Sequence, residues 1–150
     1  MKERSLRIAS IVLAAIGLVD ALYLTWVKLT NSYAVCGPIG DCESVNSSRY
    51  AQIGGVPIAL LGAGAYLVIL ALLFLEARGG VWKEYGSMVV FGISFAGVLF
   101  SAYLTYIEVA VLHAICPYCI LSAIVMVILL ALTITRLVRN QGEPDLIPND

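Results

Sequence analysis

The amino-acid sequence predicts an all-α integral membrane protein, a bundle of four transmembrane helices with an outer loop and a short interfacial helix between the first two. Two observations carry this. Hydrophobic residues fill 61% of the 150 positions and the mean hydropathy is +0.94, whereas a soluble domain holds roughly 45–50% apolar residues. These residues also gather into four runs, 8–27, 56–75, 85–107 and 118–135, and about 20 apolar helical residues cross a bilayer core. Hydrocarbon offers a backbone amide no partner, so each run must satisfy its own amides as a helix.

The first run follows Lys2, Arg4 and Arg7 as an export signal would, but it is longer than a signal's apolar core and no small-residue cleavage site follows, so it is expected to be retained. It holds one ionisable residue, Asp20, in its outer half. An acid inside a span is costly, which makes Asp20 a candidate for proton handling, set against a carboxyl hydrogen-bonded within the bundle. The loop 28–55 contains Cys36-Gly-Pro-Ile-Gly-Asp-Cys42, whose turn residues favour a closable ring. Residues 43–53 are expected to form the interfacial helix, with Asp41 as its N-cap.

Pro57 stands at the first turn of the second span, a position that tolerates a missing amide proton. Gly62, Gly64, Gly92, Ala96, Gly97 and Ser101 supply small surfaces for close helix contact. Trp26, Tyr33, Trp82 and Tyr85 read as interfacial aromatics, and Lys28 and Glu108 as ordinary charges at span ends. Tyr23-Leu24-Thr25 recurs as Tyr103-Leu104-Thr105, each eleven residues before a cysteine, the trace of a duplicated two-helix unit or of chance in a Leu-rich sequence. Residues 1–139 are expected to form one membrane domain and 140–150, with Gly142, Pro144 and Pro148, a disordered cytoplasmic tail.

Seven of the nine Lys and Arg residues precede the first span, join the second to the third or follow the fourth; only Lys28 and Arg49 lie on the other side. The positive-inside tendency therefore places both termini in the cytoplasm of a cell with this protein in its plasma or inner membrane. All four cysteines then face outward, where disulfides persist. With a formal net charge of −1 there is no basic surface for nucleic acid, and lipid is the expected surrounding.

The cysteines fall as two pairs, Cys36 with Cys42 and Cys116 with Cys119 in Cys-Pro-Tyr-Cys. At a helix N-terminus, Cys-x-x-Cys gains thiolate character from the dipole and free amides, and a second pair within reach can exchange electrons with it. The same motif can be half a zinc site, and the loop pair can be a plain structural disulfide. A redox relay is favoured: no further paired Cys/His motif is present, and a short Gly-rich ring gains little stability from closure. No metal is assigned.

Cys42-Glu-Ser-Val-Asn-Ser-Ser48-Arg-Tyr50, then Gly55-Val-Pro57, then Cys116-Pro-Tyr-Cys119 resembles the vitamin K epoxide reductase family across nearly the whole chain. The resemblance implies that Cys36 and Cys42 shuttle electrons from a thioredoxin-like or DsbA-like protein to Cys116, that Cys119 faces a quinone of ubiquinone or menaquinone type, and that Ser48 supports the site. Ile58 and Ala123 stand where vitamin K-active members carry Asn and Tyr, so epoxide reduction is not expected. The chain ends soon after its fourth span, so the partner is expected to be a separate protein. His113, three residues before Cys116, and Tyr118 and Ser122 beside the motif are further candidates for proton handling or quinone contact, with simple solvation the plainer reading of His113. The expected function is a membrane thiol:quinone oxidoreductase supporting disulfide formation. The rivals are an analogue of DsbB type, whose Cys-x-x-Cys lies in the first outer loop, and a non-enzymatic four-cysteine metal-binding protein.

Overall fold

The computed structural model describes residues 2–38 and 40–142. Among the described residues there are five α-helices: α1 Lys2–Thr30, α2 Cys42–Ser47, α3 Ile58–Arg78, α4 Trp82–Tyr106 and α5 Pro117–Gln141. A π-helical segment, Ile107–Leu112, continues α4. Four of the helical stretches are long and apolar enough to cross a membrane. They pack in a closed square, α1 and α4 each touching both α3 and α5. The interior is filled by Tyr66, Ile69, Leu73, Val90 and Leu129, while Val19, Phe74, Leu99 and Val138 point outward as a lipid-facing surface requires.

Polar residues carry the helices past their apolar runs, except at the start of α3, where Val56–Pro57 form a strand and the helix begins at Ile58. Lys2–Arg7 extend α1, and α5 runs to Gln141, so Asn140 and Gln141 are helical where a tail was expected. Residues 143–150 of that tail lie outside the described residues. The interfacial helix is shorter than expected. Asp41 does cap it, accepting from the Ser44 amide at 3.1 Å, but α2 stops at Ser47, a 3₁₀ turn covers Arg49–Ala51, and Gln52–Ile53 (β1) pairs antiparallel with Val56–Pro57 (β2). Gly54 and Gly55 make that two-residue turn at φ +58° and +84°, the conformation Gly-Gly favours in a hairpin. Pro57 is the N-cap of α3, one step before its first turn.

α1 and α3 meet in a fixed antiparallel register. A Cβ on Gly62 would rest 3.9 Å from the Ala21 Cβ, and a Cβ on Gly17 would overlap the ring of Tyr66. Gly17 is thus the small residue that seats Tyr66. Not every small residue serves such contact: Gly64 and Gly92 have nothing near their missing side chains, whereas Gly62, Ala96, Gly97 and Ser101 line a cavity between the helices.

The end of the bundle that bears the termini is closed by a polar cluster. The Arg136 Nη2 donates to Glu76 Oε2 at 2.7 Å, the Ser87 hydroxyl donates to Glu76 Oε1 at 2.9 Å, and Glu3 lies 3.7 Å from Arg136 Nε. One residue from each long helix takes part. The opposite end carries both cysteine pairs.

Candidate functional site

Four ties hold the loop pair over the end of α1 and the start of α5. Tyr23 and Tyr118, ring centroids 5.2 Å apart, clasp the backbone of Val35: its N–H donates to the Tyr23 hydroxyl at 3.1 Å and its carbonyl accepts from the Tyr118 hydroxyl at 2.8 Å. Asp41 N–H donates to the Ile115 carbonyl at 3.0 Å. Lys28 Nζ donates to the Asn46 carbonyl of α2. Gly40 lies against Pro117, so closely that a Cβ would come within 2.8 Å of the proline ring.

Within this frame Cys36 and Cys42 form a disulfide, their Cα atoms 5.9 Å apart. Cys116 is the N-cap of α5, with Pro117 at its first position and Cys119 in its first turn, both thiols free. Cys116 Sγ lies 3.5 Å from Cys42 Sγ, and each of these residues is 1% exposed. Cys36 is more open. A hydrogen bond from the Cys119 thiol, helped by the backbone amides of Cys119 and Tyr118, holds the Cys116 thiol below the ordinary range against burial and the charge of Glu108.

Glu108 is the residue that sequence reasoning passed over as a charge at a span end. It is buried at 3% exposure, and its Oε2 accepts the Cys116 amide at 3.1 Å. The π-helical segment turns it inward, His113 reverses the chain at φ +51°, and the Ala114 amide closes back on the Glu108 carbonyl at 3.0 Å. Its only sequence signal is an acid inside the apolar run Tyr106–Leu112.

Below the sulfurs lies a cavity of about 480 Å³, the size of a small-molecule site. Cys116, Cys119, Asp20, Ser48, Glu108 and Ser122 reach its wall. Ser48 also closes α2, its hydroxyl donating to the Val45 carbonyl at 2.7 Å. Tyr118 and His113 are not in the wall: the first holds the loop, and the second is exposed. Of the two apolar substitutions, Ile58 lines the cavity but Ala123 does not, and Tyr66 and Ser122 add hydroxyls to the wall. Of the two positions on which the epoxide expectation rests, only Ile58 borders this cavity.

The sulfurs of Cys36, Cys42 and Cys116 lie within 4.8 Å of one another, as three metal ligands would. Two of them are already joined in a disulfide, which offers no thiolate, and Cys119 is not part of the group. The geometry favours thiol–disulfide exchange.

The profile of the vitamin K epoxide reductase family matches residues 8–134. The chain is also similar to the thiol-disulfide oxidoreductase LTO1 of Arabidopsis thaliana, 39% identical over 113 residues, a stretch that covers 71% of this chain and 30% of that protein.

Proposed function

The chain belongs to the vitamin K epoxide reductase family, and from that premise we propose that it is a membrane thiol:quinone oxidoreductase that oxidises a thioredoxin-like partner outside the cytoplasm. The observation that carries this reading is the 3.5 Å approach of Cys42 to Cys116 at the edge of a cavity that Cys119 also lines.

The sulfur chemistry follows from exposure. A partner thiolate attacks Cys36, the more open sulfur of the loop disulfide, and Cys42 leaves as a thiolate. The partner's second thiol then frees Cys36. Cys42 attacks Cys116 of an oxidised Cys116–Cys119 pair, releasing Cys119 into the cavity. Cys36 resolves the Cys42–Cys116 bond, the loop disulfide returns, and the two electrons rest on Cys116 and Cys119. The bonded loop pair and the two free α5 thiols support an end state of this kind. Glu108 positions the loop before α5 through the Cys116 amide, and Ser48 holds the end of α2 beside the same cavity.

A quinone fits the donor set and the space. Leu24, Ile58, Ile93, Phe100, Leu104 and Met126 give an apolar wall for a ring and its tail, with Cys119 facing inward. When bound, such an acceptor takes the two electrons as Cys116 and Cys119 close their disulfide. Purified protein given a dithiol and ubiquinone or menaquinone is expected to reduce one quinone per dithiol oxidised. Stoichiometric zinc with no quinone reduction would favour the metal-binding reading instead.

We place both termini in the cytoplasm, on the charge asymmetry described above. A reporter fused after Arg139 should be active only inside, and after reduction an impermeant thiol reagent should label Cys36 from outside; an external reporter would reverse the orientation.

A further inference from the structure

We infer that Asp20, together with the Tyr66–Ser122 hydroxyl pair, binds an oxygen of the electron acceptor and supplies it with a proton. This rests on the quinone reading and adds a site for the acceptor's oxygen, made from three helices.

Asp20 is 7% exposed, lies in the cavity wall, and neither of its carboxyl oxygens has a hydrogen-bond partner among the described residues. The bundle therefore does not satisfy it. Buried polar groups are ordinarily paired, and an acid kept inside a span is a functional candidate. An unpartnered carboxyl facing a cavity is completed by what enters that cavity.

The register of α1 on α3 aims it. Gly17, one turn before Asp20, seats the ring of Tyr66, and Ala21 faces Gly62, one turn before Tyr66. Asp20 thus sits between the two contacts. Tyr66 is fully buried, and its hydroxyl shares a hydrogen with Ser122 Oγ at 2.9 Å and reaches the Ser122 carbonyl at 3.2 Å. Ser122 lies three residues after Cys119, on the same face of α5, and both line the cavity. A ring between the Cys119 sulfur and these hydroxyls has a thiol on one side and oxygen-binding groups one helical turn deeper.

The balance is closed. Formation of the Cys116–Cys119 disulfide releases two electrons and two thiol protons, and reduction of a quinone's two oxygens takes up two of each. Asp20 in its acid form gives one proton to the oxygen held at Tyr66 and Ser122, and one of the thiol protons restores it. The other thiol proton goes to the second oxygen.

The test uses the full chain in detergent with a short-tailed ubiquinone. In wild-type protein carrying isotope-labelled aspartate, infrared difference spectra should show a carboxyl C=O band that moves when the quinone binds, and Asp20→Asn should lack it. Asp20→Asn should lower quinone turnover on the order of 100-fold, while its single-turnover exchange with a reduced thioredoxin-like protein stays unchanged. Tyr66→Phe should weaken quinone binding about tenfold, the worth of one hydrogen bond. An infrared spectrum of the labelled wild type that ignores quinone, or Asp20→Asn turnover within about twofold of wild type, overturns the inference. If the wild type reduces no quinone at all, the proposed function fails first.

Discussion

Replacing Cys119 with Ala is expected to abolish quinone reduction with every electron donor, whereas the double change Cys36→Ala and Cys42→Ala should abolish it only with a protein dithiol. The difference follows from where the sulfurs lie. Both α5 cysteines line the cavity, but Cys119 is the one not grouped with the loop sulfurs, and without it the α5 pair cannot close its own disulfide as electrons leave. The loop pair is held at the end of the bundle by Tyr23, Tyr118, Asp41 and Lys28. A small dithiol that enters the cavity can reduce Cys116–Cys119 directly and bypass the loop. Steady-state rates with the two donors separate the cases. Equal loss of both rates in the loop variant would make the loop part of the quinone site.

Arg136→Ala should cost about 3–5 kcal/mol of stability, because it leaves Glu76 buried without its cation. Arg136 bonds Glu76 at 2.7 Å, with side-chain exposures of 7% and 2%. Removing both charges, as in Arg136→Met with Glu76→Met, should be far milder, since well-packed apolar residues often replace a buried pair at little cost. Unfolding in detergent measures both. The cluster lies at the end remote from the cysteines, so the single variant should keep its thiol exchange at temperatures where it remains folded. A single variant as stable as wild type would show that Glu76 finds another partner or loses its charge.

The four spans were legible because apolar runs of bilayer length admit one structure in hydrocarbon, and the cysteine pairs because their spacing and flanks are distinctive. Helix ends were not, since Lys2–Arg7 and Arg136–Gln141 continue helices into polar surroundings without an apolar signal. The Gly54–Gly55 turn is legible as a hairpin signal, but its strands are only two residues long, and Gln52–Ile53 falls within the 43–53 stretch expected to be helical. Glu108 and Tyr66 show a different limit. Each acts through a partner remote in sequence, Cys116 for the first and Ser122 with Gly17 for the second. Only the π-helical turn and the α1–α3 register bring these together. Tyr118, chosen for its place in Cys-Pro-Tyr-Cys, faces away from the cavity because its helix position points it at the loop it holds.

The proposed relay passes electrons between Cys42 and Cys116, and one covalent bond tests that step. In protein carrying Cys36→Ala and Cys119→Ala, only Cys42 and Cys116 remain, 3.5 Å apart in the wild-type structure. Mild oxidation followed by thiol blocking, proteolysis and mass spectrometry should find these two residues joined within one chain. The complementary protein, Cys42→Ala with Cys116→Ala, should yield no such link between Cys36 and Cys119. Cys42 and Cys116 recovered as blocked thiols, or cross-linked only between molecules, would contradict the relay.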